Sequence, residues 1–421
     1  MSDFPPQISD LSGNRSDASK PNDTLADVPM RGEPLPGAGN AIRPLRMACV
    51  IHSLDGGGAE RVMAGLASRL ADRGHEVTLM TLDDGRADRH KVSGRVQRTP
   101  LSVLSTAQRP VSLWKRLVAI RRAIRGGEYQ VVLSFCDWTN VLTLLATIGL
   151  RGCPPIVVSE RSDPARQSLG RVREWLRRRV YRRAAAVVCL NSDVAATLTR
   201  MTGVTPIVIG SAVEEVAPAE PVAPTDGEPL RLIAMGRLEH EKGFDRLLRA
   251  VAGLPASQSV PEWRLAILGD GSEAEPLRLL AQELGVADRV EFMGWVSPVL
   301  SCLQASDVFV LPSRYEGFPS AMLEAMAAGV AVVAVDAGGS VRDTIRHGEN
   351  GWLVKNQVES LTEGLSHVLI DSELRQQMAS NGPDTARQFS WPRMVDAYEG
   401  VLLDAIDSRT GDCLRSKPDH L

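Results

Sequence analysis

The chain is poor in aromatic residues: 7 Trp, 4 Tyr and 7 Phe make up 4% of its 421 residues. They do not interleave with basic residues as base stacking on nucleic acid would require, so nucleic acid is not an expected partner. A net charge of −3 supplies no general attraction for a polyanion either. The six cysteines, at 49, 136, 153, 189, 302 and 413, show no C-x-x-C spacing. Four of them (49, 136, 189 and 302) lie in or beside apolar stretches. That pattern argues against a disulfide frame or zinc site and for reduced, buried thiols in the cytoplasm. The longest apolar run, Val141 to Leu150, is far too short to span a bilayer. Residues 1–44 are rich in Ser, Asp, Pro and Gly and lack the apolar core of a signal peptide; they read as a disordered tail. Any membrane contact is therefore expected from the surface. No D-x-D stands at a strand end where a metal–diphosphate clamp would need it. No metal ligand is assigned and no cofactor is expected.

What is present is ordinary for a globular protein, with 43% apolar and 24% charged residues. The length suggests two or three domains. Strand-like and helix-like stretches alternate, which argues for α/β architecture with parallel sheets covered by helices. Strands are expected over Arg46–Ser53, Glu76–Leu82, Gln130–Phe135, Pro155–Glu160, Ala186–Asn191 and Pro206–Ile209. A Pro-rich linker lies within 214–229. The alternation then restarts with Leu230–Gly236, Arg264–Gly269, Arg289–Gly294, Val308–Leu311 and Ala331–Val335. The reading is two doubly wound, Rossmann-like domains, 45–213 and 230–388, facing across a cleft that should hold the ligand. A helix within 389–408 begins at Ser390 with Pro392 in its first turn, and residues 409–421 form a tail.

Ser313 to Gly329 reads S-R-Y-E-G-F-P-S-A-M-L-E-A-M-A-A-G. A strand leads into a Gly/Pro loop carrying Glu316, and Glu324 follows inside the next helix. Amide groups at such a helix start favour anions. Acids beside an anion site make sense when they address hydroxyls, and phosphate with hydroxyls describes a sugar nucleotide. Singly, each acid reads as a surface carboxylate. The site reading draws its strength from Gly236-Arg237-Leu238-Glu239-His240-Glu241-Lys242-Gly243, which ends one strand and opens the next helix. There Arg237 could grip phosphate oxygens bidentately and Lys242 act as a point charge. The bland alternative is a solvated loop paired with Glu239 and Glu241. Gly56-Gly57-Gly58-Ala59-Glu60-Arg61 would let phosphate approach the backbone, or is a plain glycine turn; it is not G-x-G-x-x-G. Gly269-Asp270-Gly271-Ser272 reads as structural. Between 161 and 183 stand nine arginines and two acids. Val172, Trp175, Leu176 and Val180 fall near helical spacing there, giving a basic amphipathic helix. It would meet an anionic membrane or a phosphate-bearing acceptor through Arg161, Arg177, Arg178, Arg179 and Arg182, or be a solvated face.

The second half resembles the retaining glycosyltransferases of family 4, which adopt the GT-B fold. The likeness rests on G-R-L-E-H-E-K-G-F-D (236–245), V-E-F-M-G-W-V (290–296) and E-G-F-P-S-A-M-L-E-A-M-A-A-G (316–329). In the first half G-G-G-A-E-R (56–61) and S-E-R-S-D-P (159–164) are similar to a subgroup working in bacterial capsule, exopolysaccharide and lipid-linked glycan assembly. The resemblance covers about 45–408. It implies that Arg237 and Lys242 bind the donor diphosphate, Glu324 the ribose hydroxyls, and that Glu316 faces the transferred sugar. It also implies that Phe318 and Pro319 line the phosphate and sugar pocket, that the chain near Phe292 and Met293 touches the base, and that Gly57 and Gly58 close on the β-phosphate. The terminal helix would cross back to the first domain. Two family features differ. The interdomain segment reads Val208-Ile209-Gly210-Ser211-Ala212 in place of a Pro-Asn pair. Ser134-Phe135-Cys136-Asp137-Trp138 lacks the usual His after the fourth strand, for which Asp137 or Arg161 could substitute.

The expectation is a cytoplasmic transferase at the inner face of the membrane. It would move a hexose or N-acetylhexosamine from a UDP-sugar to a growing, lipid-linked glycan, with retention and without a metal. A non-hydrolysing sugar-nucleotide epimerase and a non-catalytic sugar-nucleotide-binding protein are the alternatives.

Overall fold

A computed structural model describes residues 44–105, 110–165, 169–214, 216, 228–255 and 260–415. The expected N-terminal tail and most of the expected linker lie outside them. Two wholly parallel sheets form the frame. The first contains β1 (Arg46–Ile51), β2 (Glu76–Thr81), β3 (Gln97–Pro100), β4 (Val131–Phe135), β5 (Ile156–Ser159), β6 (Ala186–Cys189) and β7 (Ile207–Val208), in the order β3-β2-β1-β4-β5-β6-β7. The second contains β8 (Leu230–Met235), β9 (Trp263–Leu268), β10 (Val290–Gly294), β11 (Val308–Leu311), β12 (Ala331–Val335) and β13 (Trp352–Val354), in the order β10-β9-β8-β11-β12-β13.

The central strands read as near-continuous apolar runs because helices cover both faces. Val131–Phe135 and Ala331–Val335 are buried at every position. Each sheet therefore has two cores, one per face. Two strands were not expected from the sequence. β3, Gln-Arg-Thr-Pro, is a half-exposed edge whose polar residues hide its period, and β13 is a three-residue edge.

In each sheet the winding reverses beside the first strand: between β1 and β4, and between β8 and β11. The loops leaving adjacent strands go to opposite faces at such a point, and a crevice opens at their carboxyl ends. The terminal helix, Trp391–Arg415, runs past the expected end at 408. Its Trp391, Met394, Val395, Tyr398, Leu402 and Ala405 enter a core of the first domain, as the resemblance implied. Trp391 lies so close over Gly65 that a Cβ there would sit 2.2 Å from the indole, so only glycine fits. The two chain crossings between the domains pair with each other, Val213 against Ser390.

Candidate functional site

The loop after β8 and the loop after β11 meet. Lys242 Nζ lies 2.7 and 2.9 Å from the two carboxylate oxygens of Glu316. Ser313 Oγ donates to the same carboxylate at 2.6 Å, and the Glu316 amide donates to Ala337 O at 3.0 Å. Glu316 is thus fixed by four bonds to three partner residues. Its side chain is only 7% exposed, against 24% for Lys242. An ammonium has three donors, so with two directed at Glu316 one remains for a ligand. Gly243 makes this turn possible. It takes a left-handed φ of 69°, and a Cβ on it would collide with Pro312 O at 2.3 Å.

Arg237 leaves the same loop but rests on Glu241 at 2.9 Å with its side chain 65% exposed. A solvent-screened pair of this kind contributes little and is readily exchanged for a phosphate. His240 is exposed. Glu239 accepts the Ser272 amide and hydroxyl, which lower its pKa and tie the turn at 269–272 to this loop.

The first domain supplies the opposite wall. The helix Gly58–Asp72 starts after Gly57 with no side-chain cap, and an uncapped helix start favours an anion. Gly58 has open space where a Cβ would be. A Cβ on Gly57 would meet Glu60 Oε2 at 2.2 Å, so this glycine makes room for a carboxylate. A cavity of about 210 Å3 between the walls is lined by Gly58, Arg161, Arg237, Lys242, Glu316 and Phe318, among others. The Phe318 ring packs on Phe389 at 5.6 Å and against Gly210 at the domain crossing. Asn191 Nδ2 of the first domain donates to Gly317 O at 2.8 Å. Pro319 stands at the N-cap of the helix Ser320–Ala327, and Glu324 within that helix pairs with Arg61 across the cleft.

Other expected residues fall elsewhere. Phe292 and Met293 sit on edge strand β10, outside the cavity lining; the Arg278 guanidinium lies 5.4 Å from the Phe292 ring centre, and Met293 is exposed. The basic helix runs over Arg171–Val180. Arg178, Arg179 and Arg182 are exposed, with Arg182 Nε donating to Thr202 O at 2.8 Å.

Arg177 corrects the sequence reading, because its side chain is completely buried. It bonds Glu174 at 2.6 and 2.7 Å and reaches Glu160 at 3.5 Å, so it cannot face a membrane or acceptor. Run-of-arginine counting missed this because Val180 and Leu176 turn inward with Arg177, while Val172 and Trp175 turn outward. Burial drives the fully enclosed Glu160 carboxyl up to about 7, helped by Asp137 and opposed by Arg177, Tyr181 and Ser162. Arg161 remains at the cleft, donating to Ser211, its guanidinium 5.2 Å from the Phe135 ring centre.

Two family models match the chain: Glycosyltransferase Family 4 over residues 56–214, and Glycosyl transferases group 1 over residues 219–385. An alpha-1,4-N-acetyl-D-galactosaminyltransferase of Campylobacter jejuni, named for a PP-undecaprenol acceptor, is 26% identical over 367 residues, 86% of this chain and 99% of that protein. A lipopolysaccharide core biosynthesis glycosyltransferase of Rhizobium meliloti, LpsE, is 29% identical over 363 residues, 82% of this chain and 96% of that one. Among solved structures, Anabaena HepE in complex with UDP and glucose superimposes with a TM-score of 0.67 at 19% identity, covering 89% of this chain and all of that one.

Proposed function

We propose a specific reaction for a chain that belongs to the family 4 glycosyltransferases and carries their GT-B fold: it moves a hexose or N-acetylhexosamine from a UDP-sugar to a growing, lipid-linked glycan, with retention of anomeric configuration. The observation that carries this reading is the Lys242–Glu316 pair at the switch point of the second sheet, facing the uncapped helix start at Gly57 and Gly58. Lys242, Arg237 and those amides surround a position suited to a diphosphate, while Glu316 presents a fixed carboxylate to the sugar beyond it.

In the proposed step an acceptor hydroxyl oxygen bonds to the anomeric carbon on the face from which UDP departs. The carbon–oxygen bond to the β-phosphate breaks, and the leaving phosphate oxygen takes the hydroxyl proton. The charge developing on UDP is stabilised by Lys242, Arg237 and the helix amides, without a metal. Ribose hydroxyls fall to Glu324, and the base to the chain near Phe292 and Met293.

The acceptor side is proposed to lie against an anionic membrane at the cytoplasmic face. Arg178 and Arg179 point outward beside Trp175, which is 56% exposed, and Trp114 on the neighbouring helix Leu113–Gly126 is 74% exposed. Exposed indoles with arginines suit a membrane interface. Among the described residues no helix is long and apolar enough to cross a membrane. The relative named for a PP-undecaprenol acceptor supports the same choice. A panel of UDP- and GDP-sugars, scored for nucleotide release with a lipid-pyrophosphate glycan, tests the proposal. UDP release that requires the acceptor supports it; UDP binding without release would leave a non-catalytic binder, and isomerised free UDP-sugar an epimerase.

A further inference from the structure

The donor-side pair stands where the second sheet reverses its winding, and the first sheet has a matching point. His52 directly follows β1, Asp137 lies just after β4, and Asp83 lies just beyond β2. His52 Nε2 lies 3.0 Å from Glu60 Oε1 on the first turn of the helix Gly58–Asp72. That leaves Nδ1, which has no hydrogen-bond partner among the described residues, on a ring still 36% exposed. A His–Glu pair that only stapled the helix to its strand would be expected to bury the ring and use both nitrogens.

Two further observations mark the same sheet end. Cys136, between β4 and the helix Asp137–Ala146, holds a φ of 73° that a non-glycine residue rarely adopts, and this turn sets Asp137 at the helix start, where its charge acts on His52. Asp83 is 9% exposed, and its Oδ1 has no hydrogen-bond partner. One buried carboxylate oxygen without a partner among the described residues, beside a part-exposed imidazole nitrogen, suits a ligand carrying hydroxyls.

Resting on the transferase reading, we propose that His52 is a positioning residue for the acceptor: Glu60 orients the imidazole, and Nδ1 accepts the hydrogen bond of the acceptor hydroxyl that attacks the donor sugar. The hydroxyl has one hydrogen: it points to Nδ1 while the acceptor docks and swings to the leaving phosphate oxygen as the new carbon–oxygen bond forms. His52 fixes the direction of the oxygen lone pair, and only its neutral form can accept. Burial lowers the His52 pKa, but the hydrogen bond to Glu60 and the charges of Glu60, Asp137 and Asp83 outweigh it and hold the value above the ordinary one. Transfer should therefore rise with pH through the titration of His52.

The test compares wild type, His52→Gln and Glu60→Gln. In His52→Gln the acceptor kcat/KM should fall about a hundredfold, with UDP affinity by calorimetry and the unfolding midpoint unchanged. Glu60→Gln removes a negative charge, so the acid limb of its pH–rate profile should move to lower pH. Wild-type turnover in His52→Gln, or UDP affinity falling in step with transfer, would overturn the assignment. A second readout does not depend on turnover: the His52 ring resonance, titrated by NMR, should move on adding methyl α-N-acetylgalactosaminide as a glycan-end probe. A ring that ignores the probe overturns the proposal even if transfer is seen. A ring that responds in a chain that never releases UDP would instead count against the transferase reading.

Discussion

Arg61 on the first helix of one domain and Glu324 on the glycine-loop helix of the other are paired across the cleft, both side chains more than half buried. Under the proposed function Glu324 meets the ribose, so a bound nucleotide would share this carboxylate with Arg61. The contact joins the two walls through one carboxylate oxygen, Oε1.

Replacing Glu324 with Ala should weaken UDP binding about tenfold, the scale of one charge-assisted hydrogen-bond site. Arg61→Ala frees Glu324 in advance, so that variant should bind UDP at least as tightly as wild type. Calorimetry on the two variants decides the matter: equal losses would make Arg61 itself a nucleotide ligand.

Glu316→Gln keeps a partner for Ser313 and removes the charge proposed to face the sugar. Transfer should drop about a hundredfold or more while UDP still binds, as expected for a group that acts on the developing charge of the transition state. Near-normal turnover in a UDP-release assay would take Glu316 out of the reaction.

The arginine helix separates two effects that its sequence merges. Arg177→Ser removes the cation paired with the buried Glu160 and should cost about 3–5 kcal/mol of stability, read as a lower denaturant midpoint. The Arg178→Ser/Arg179→Ser pair touches no core and should leave stability unchanged. It should weaken binding to phosphatidylserine vesicles by about 1 kcal/mol per arginine. Unchanged vesicle binding would return this face to plain solvation.

Glu160 makes stability depend on pH. Its folded pKa, pushed to about 7, lies above the ordinary carboxylate value, so the native state holds the extra proton between the two. Its contribution is fully present below the unfolded value and is lost as pH rises toward 7. Glu160→Gln should therefore gain stability relative to wild type at pH 8 compared with pH 5, measured by thermal unfolding at both.

Much of this was legible in the chain. Long apolar runs such as Ala331–Val335 announced buried parallel strands, and the glycine loops carrying Arg237, Lys242 and Glu316 stood out as loops at strand ends, which the fold brings to one cavity. The structure brings Lys242 and Glu316, 74 positions apart, into direct contact. What stayed hidden depends on orientation. Arg177 and Arg178 are neighbours in sequence yet point to opposite environments, because one residue of helix turns a side chain by about 100°. His52 gave no signal, since a lone histidine after a strand carries no spacing; only the folded position of Glu60 reveals its pairing. Gly57 was read as room for phosphate, and the space it leaves is filled by the Glu60 carboxylate.

Under the proposed function, a cationic loop after β8 holds a nucleotide diphosphate while the acid beside it meets the sugar. Titration of UDP into wild type and Lys242→Ala by calorimetry tests it most directly. The variant should lose affinity about tenfold to a hundredfold, the scale of one charge-assisted phosphate contact. Equal affinities would contradict it.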